Sequence, residues 1–224
     1  MMAAERPQSA GERTVIDKEP DVDRPAPLFF VSYAHTRSSH LIGTFFEDLS
    51  GHVQELIGRI PGDDPGFLDR SMAGGRRWAP ELLRAVATCQ VFIPLLSASL
   101  FESAWCGYEW YAFSRRQVLN RRSGRPDMET AIVPVIWVPH GTKSEPAVVG
   151  QIQRFSPSGL PEEVVKKYQL EGIYGLSFVD TNAYRAVVWK LAQRVVGLHL
   201  SHYVERAPIP DETQLRNAFT EESG

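Results

Sequence analysis

Cysteine, long apolar runs and an excess of either charge are what this sequence has little of. No apolar stretch approaches membrane-spanning length, and the N-terminus lacks the apolar core of a signal peptide, so no membrane partner is expected. Cys89 and Cys106 are the only two cysteines in 224 residues; they cannot build a disulfide framework and they match no zinc spacing. No cluster of histidine, cysteine and carboxylate suggests a metal. A reducing, cytoplasmic setting is the default expectation. The net charge of -3 gives no general pull toward nucleic acid or an anionic membrane. The phosphate-loop pattern Gly-x-x-x-x-Gly-Lys-Ser/Thr is missing, as is the dinucleotide pattern Gly-x-Gly-x-x-Gly. No internal repeat is visible.

What remains is ordinary core-forming material, 43% hydrophobic and 23% charged, enough for one domain with tails. Residues 1–27 mix charges with Pro7, Pro20, Pro25 and Pro27 and show no apolar periodicity, which predicts a disordered N-terminal tail. From about Ser201 the chain breaks up again at Pro208 and Pro210, so 201–224 reads as a flexible C-terminal tail holding at most a short frayed helix. The domain between them spans 28–200.

Within it the signals alternate. Leu28 to Tyr33 reads as a strand, and Leu41, Ile42, Phe45, Phe46, Leu49, Val53, Leu56 and Ile57 recur at helical spacing after it. Gly66 to Asp69 is a very short strand, and Pro80 opens a helix through Leu82, Leu83 and Val86. Val91 to Leu96 is a buried strand. Ser99 and Glu102 form a capping box that starts the next helix, which is expected to run to about Asn120. Ala131 to Val138 is the next strand, Pro161 opens a short helix, Ile173 to Phe178 is a last strand, and Tyr184 to Val195 is a last amphipathic helix. Pro94 and Pro134 interrupt strand-like runs and are expected at bulges or strand ends. Connections too long for hairpins predict a flavodoxin-like, doubly wound α/β sheet of five mainly parallel strands, with helices on both faces.

In such a sheet ligands sit beyond the C-terminal strand edges. The loops delivered there are Ser32 to His35, Asp69 to Trp78, and Ser97 to Glu109. Trp105 and Glu109 share a helix face, so an acid and an aromatic plate meet at that edge. The plain alternative for Glu109 is a solvated helix glutamate. The run Arg115, Arg116, Arg121, Arg122 and Arg125 is explained by placement at a helix C-terminus rather than by nucleic acid, and Cys106 reads as a small packing residue.

Three segments in this order resemble the TIR domain family over residues 28 to 198. They are Phe29-Phe-Val-Ser-Tyr-Ala-His35, then Phe67-Leu-Asp-Arg-Ser-Met-Ala-Gly-Gly-Arg-Arg-Trp78, then Cys89 to Ser97 followed by Ser103-Ala-Trp-Cys-Gly-Tyr-Glu109. The chain is especially similar to the actinobacterial TIR-like proteins called FxsC. The resemblance implies a bacterial signalling protein that acts as an NAD+ nucleosidase, with NAD+ as substrate, no cofactor and no metal. It gives the catalytic role to Glu109 and substrate contacts to Tyr33, His35, Asp69, Arg70, Trp78, Ser97 and Trp105. It also implies self-association, or association with other TIR domains, through the loop before Trp78 (the BB loop). Burial beside Trp105 and Tyr108 is expected to raise the pKa of Glu109, and Arg70 or Arg76 to lower it.

The sequence departs from the family in reading Ala73-Gly74 where many relatives have Pro-Gly. It lacks the acid that often follows the first segment and any clear Phe-Trp third box, and its 139–170 connection is long. Two other functions stay open: a catalytically silent adaptor working through the BB loop, and a nucleoside-processing enzyme on the related 2-deoxyribosyltransferase architecture.

Overall fold

Alternation along the first strand sorts the helices onto two faces. The computed structural model describes residues 26–35, 39–58, 64–69, 80–140 and 145–220; most of the expected N-terminal tail, 1–25, lies outside the described residues. Four parallel strands, β1 (Phe29–Ser32), β2 (Gly66–Leu68), β3 (Val91–Leu96) and β5 (Val135–Ile136), form a sheet in the order β2-β1-β3-β5. The strands β4 (Val118–Asn120) and β6 (His202–Val204) pair as an antiparallel ribbon. Phe29, Val31, Val91, Ile93 and Leu95 face one core with α1 (Ser39–Ile57) and α7 (Thr181–Ser201). Phe30, Phe92 and Leu96 face the other, with α2 (Pro80–Thr88), α3 (Ala98–Glu102) and α4 (Ala104–Ser114). Side chains alternate along a strand, so Ser32 points to the same side as Phe30, toward α4.

The doubly wound α/β architecture stands, with differences of local origin. The expected fifth strand, Ile173 to Phe178, is instead helical: it forms the part of α6 (Glu162–Val179) beyond a kink at the non-helical Gly172, and α6 follows the short α5 (Ala147–Gly150). A six-residue apolar run cannot by itself separate strand from buried helix. The outer edge of β5 is closed by this helix: Ile136 N–H donates to the Tyr168 hydroxyl at 2.9 Å, and Tyr174 N–H donates to Trp137 O at 3.0 Å. The approach requires Gly172, with φ 65°, because a Cβ there would lie 2.5 Å from Trp137 O. A covered edge needs no further strand.

Both prolines have a place. Pro94 lies inside β3, not at an end, with its nitrogen on the side of β5, where the neighbouring Phe92 and Leu96 make their bonds. Only that one ladder donor is lost. Pro134 shortens β5, so the run from Ala131 contributes an isolated bridge, Phe92 to Ile132, before two paired residues.

The expected long helix after β3 is two. Ser97, not Ser99, caps α3, accepting from Leu100 N–H at 3.2 Å, and Ser103 caps α4, accepting from Cys106 N–H at 3.3 Å. The second of these ends at Ser114 rather than Asn120, because the chain turns into β4. The C-terminal region is not a free tail across 201–220. His202 to Val204 pair with β4, Ala207 N–H donates to Ala87 O, and Ala218 is buried. Among the described residues no helix is long and apolar enough to cross a membrane.

Candidate functional site

The first strand ends where α4 passes over it. Ser32, at the last position of β1, donates its hydroxyl hydrogen to Oε2 of Glu109. Both are buried, Glu109 being 7% exposed, and it is the only carboxylate in the buried set among the described residues. The local sequence explains the placement. Ser103 fixes the start of α4, and Cys106, Glu109, Trp110 and Phe113 follow as buried positions on the helix. The single acid in that apolar helix is therefore directed inward.

Burial pushes the Glu109 carboxyl up to about 8. The Ser32 hydrogen bond opposes the rise and the negative charge of Asp69 adds to it. Asp69 follows β2, the neighbour of β1, and its backbone oxygen accepts from the Tyr33 hydroxyl at 2.7 Å. The Tyr33 and His35 rings lie 4.8 Å apart. Sequence reasoning thus named four residues that the fold assembles at one edge: Glu109, Asp69, Tyr33 and His35. Arg70 and Trp78 lie outside the described residues, as does Arg76.

Ser97 and Trp105 each have a place in the fold. Ser97 uses its side chain as a helix cap, which gives it a structural task. Trp105 is half-buried at the start of α4, its ring 5.8 Å from and edge-on to Tyr108, and it packs against the core that holds Trp110 and Phe113. Ser32 was not singled out in the sequence. Its signal was there: the last residue of a buried strand, small and polar, at the edge where ligands collect. Cys106 is buried beside Glu109, and its thiol is pushed up to about 12, chiefly by burial and next by that carboxyl. It is a packing residue with no thiolate to offer.

The arrangement provides a carboxyl in a nearly dry setting, steered by one hydroxyl, at the C-terminal edge of a parallel sheet, with Tyr33 and His35 on the segment that leaves β1. Such a group can stabilise a developing positive charge or take up a proton near neutral pH. Among the described residues no group of three or more metal-ligating side chains occurs. A search of curated proteins returns no match. The family model of the TIR domain matches residues 29–164, which runs from β1 through the strand–helix unit carrying Glu109 into α6. The chain belongs to the TIR domain family.

Proposed function

We propose that this TIR domain signals by cleaving NAD+ at the nicotinamide–ribose bond, with Glu109 as the catalytic residue. The observation that carries the reading is the buried carboxyl of Glu109, held by Ser32 at the ligand-binding edge of the sheet. In the reaction the C–N bond breaks and its electron pair stays on the pyridinium nitrogen, so nicotinamide leaves neutral and needs no general acid. Positive charge develops on the ribose C1′, and the ionised Glu109 stabilises it. Water then adds its oxygen to C1′ and gives up a proton, and a carboxylate titrating near 8 is a suitable acceptor. The products are ADP-ribose and nicotinamide. Tyr33, His35, Asp69, Arg70, Trp78 and Trp105 are the side chains around the substrate in this reading.

The same burial favours a regulated enzyme. With its pKa near 8, Glu109 is mostly protonated at neutral pH in the single chain, so the resting domain is nearly silent. Self-association that brings a cation or the BB loop of another copy to the carboxyl would ionise it. In this reading the protein is a cytoplasmic, FxsC-like bacterial protein that is switched on by assembly. The test incubates the full chain with NAD+ at high protein concentration and with a crowding agent, alongside Glu109→Ala. Nicotinamide release by the wild type and not by the variant supports the proposal. Equal inactivity of both under every assembled condition overturns it in favour of the silent adaptor. Release of free base from deoxynucleosides would assign the deoxyribosyltransferase chemistry instead.

A further inference from the structure

Helix α4 is apolar all round: from Ala104 to Phe113 its only charged residue is Glu109. A helix of that kind needs cover on every face. The sheet covers one side, and the chain's own C-terminal segment covers another. Ala218 N–H donates to Gly107 O at 3.2 Å, Ala218 is buried, and the Phe219 ring stands edge-on to both Phe101 (6.2 Å) and Trp110 (5.8 Å).

The fit depends on one missing side chain. A Cβ on Gly107 would lie 1.8 Å from Oδ1 of Asn217 and 3.4 Å from the Ala218 nitrogen. Asn217 cannot simply swing away, because the same Oδ1 accepts from Phe219 N–H at 3.0 Å and sets the turn that aims the phenylalanine. Glycine inside a helix is otherwise a poor choice. Its presence two residues before Glu109 marks a notch made for the segment.

The link to this segment is broken by prolines. Between Ala207 and Leu215 it carries Pro208 and Pro210, and Ile209 is half-exposed. The bonds around its short turn, Thr213 N–H and Gln214 N–H to Asp211, stay within the link.

We propose that the face formed by Phe101, Gly107 and Trp110 is a peptide-docking site, filled reversibly in cis by residues 215–220. In trans it accepts the same segment: a small residue in the Gly107 notch and a phenylalanine in the slot between Phe101 and Trp110. Through this face the C-terminus clamps the helix that carries Glu109. The inference stands on packing alone and does not depend on NAD+ as substrate.

Trypsin reads the docked state in the intact chain, since cleavage after Arg216 requires the 217–220 strap to leave the notch. Cleavage after Arg206, ahead of the link, serves as the internal reference. Gly107→Ala, which favours the helix but fills the notch, is expected to speed the Arg216 cut about tenfold relative to the reference, with far-UV circular dichroism unchanged. Phe219→Ala, which leaves the helix untouched, is expected to do the same. A peptide of residues 217–223, which has no trypsin site, should speed the cut about twofold at millimolar concentration. That concentration is set by the effective concentration of a tethered segment. The same peptide with Phe219→Ala should have no effect. Equal cleavage ratios in the wild type and both variants would overturn the clamp, and failure of the peptide to compete where both variants respond would overturn docking in trans.

Discussion

Glu109 and Arg116 are two buried ionisable side chains seven positions apart, one inside α4 and one just beyond its end, and the fold treats them in opposite ways. Their exposures are 7% and 8%. Arg116 spends its guanidinium on structure. Nε donates to Glu205 O at 3.0 Å, Nη1 donates to Val86 O at 2.9 Å and also approaches Cys89 Sγ, and Nη2 reaches Val204 O at 3.5 Å. The cation lies over the Phe113 ring as well. These bonds tie α2, the end of α4 and the β6 strand together. Glu109, by contrast, accepts one side-chain hydrogen bond, from Ser32, and among the described residues nothing positive faces it. A buried charge surrounded by acceptors is a rivet, and a buried acid held by one hydroxyl is a group kept for another task.

Exchanging the two outcomes by mutation gives the largest effect. Arg116→Met leaves the Val86, Val204 and Glu205 carbonyls facing a thioether. It is expected to cost about 3 kcal/mol of stability, which for a chain of this size lowers the melting temperature by roughly 6–12 °C. NAD+ cleavage per folded molecule should not change. Glu109→Gln should do the reverse, with no loss of stability at neutral pH and at least about 100-fold less nicotinamide release. Thermal unfolding and single-turnover assays on both variants check the pair. An Arg116 variant that melts with the wild type would remove the contrast.

The contrast also has a pH signature with a definite sign. In the folded chain Glu109 holds its proton up to about 8, whereas the unfolded chain releases it near 4.5. Between those values the native state binds the extra proton, so its contribution to stability is full below about 4.5 and is lost as pH rises toward 8. Across the window the loss is on the order of 5 kcal/mol. Glu109→Gln cannot ionise and should escape it. The variant is expected to melt close to the wild type at pH 5 and on the order of 10 °C above it at pH 9. Wild-type activity should instead rise with pH through the same region, because the proposed reaction uses the ionised form. Parallel melting curves for the two proteins at every pH would show that Glu109 is not buried as neutral acid.

Much of this site was legible in the sequence, and the reasons are local. A strand ending in Ser32-Tyr33, a strand ending in Asp69 and a helix bearing Glu109 each announce themselves by periodicity, and the parallel topology then forces their ends together. What was not legible depended on long-range partners. Nothing local in Ile173 to Phe178 says that Trp137 O and Gly172 will meet and make it a helix. Nothing in a proline-broken C-terminus says that Asn217 will occupy a notch at Gly107. Arg116 looked like one of several basic residues at a helix end, yet burial by the returning β6 strand gives it a different role. Arg121 has its own: Nε donates to His199 O near the end of α7 at 2.7 Å. The BB loop, with Arg70 and Trp78, stays an expectation of the sequence.

A finer test changes the setting of Glu109 without touching it. Ser32→Ala removes the bond that favours the ionised carboxyl, so the pH at which activity reaches half its maximum should move up, and the rate at pH 7 should fall several-fold. Asp69→Asn removes a negative charge that disfavours ionisation, so the same midpoint should move down. The two shifts have opposite signs, which distinguishes electrostatic control from general damage to the site. Two shifts in the same direction would place the titrating group elsewhere.

The smallest effect separates a cap from a contact. The Ser97 hydroxyl oxygen, a substrate contact in the sequence reading, accepts from Leu100 N–H, much as the Ser103 oxygen accepts from Cys106 N–H. Each serine should therefore cost about 1 kcal/mol on substitution by alanine, or some 2–4 °C in melting temperature. Their effects on activity should differ, because the two caps start different helices. Ser97 starts α3, which carries none of the grouped site residues, and Ser97→Ala should leave both kcat and KM for NAD+ unchanged. Ser103 starts the helix that presents Glu109, and fraying its first turn should lower kcat modestly, by about twofold, with KM unchanged. A several-fold rise in KM for Ser97→Ala without a fall in melting temperature would return Ser97 to the substrate side, and would mean that α3 forms part of the pocket wall.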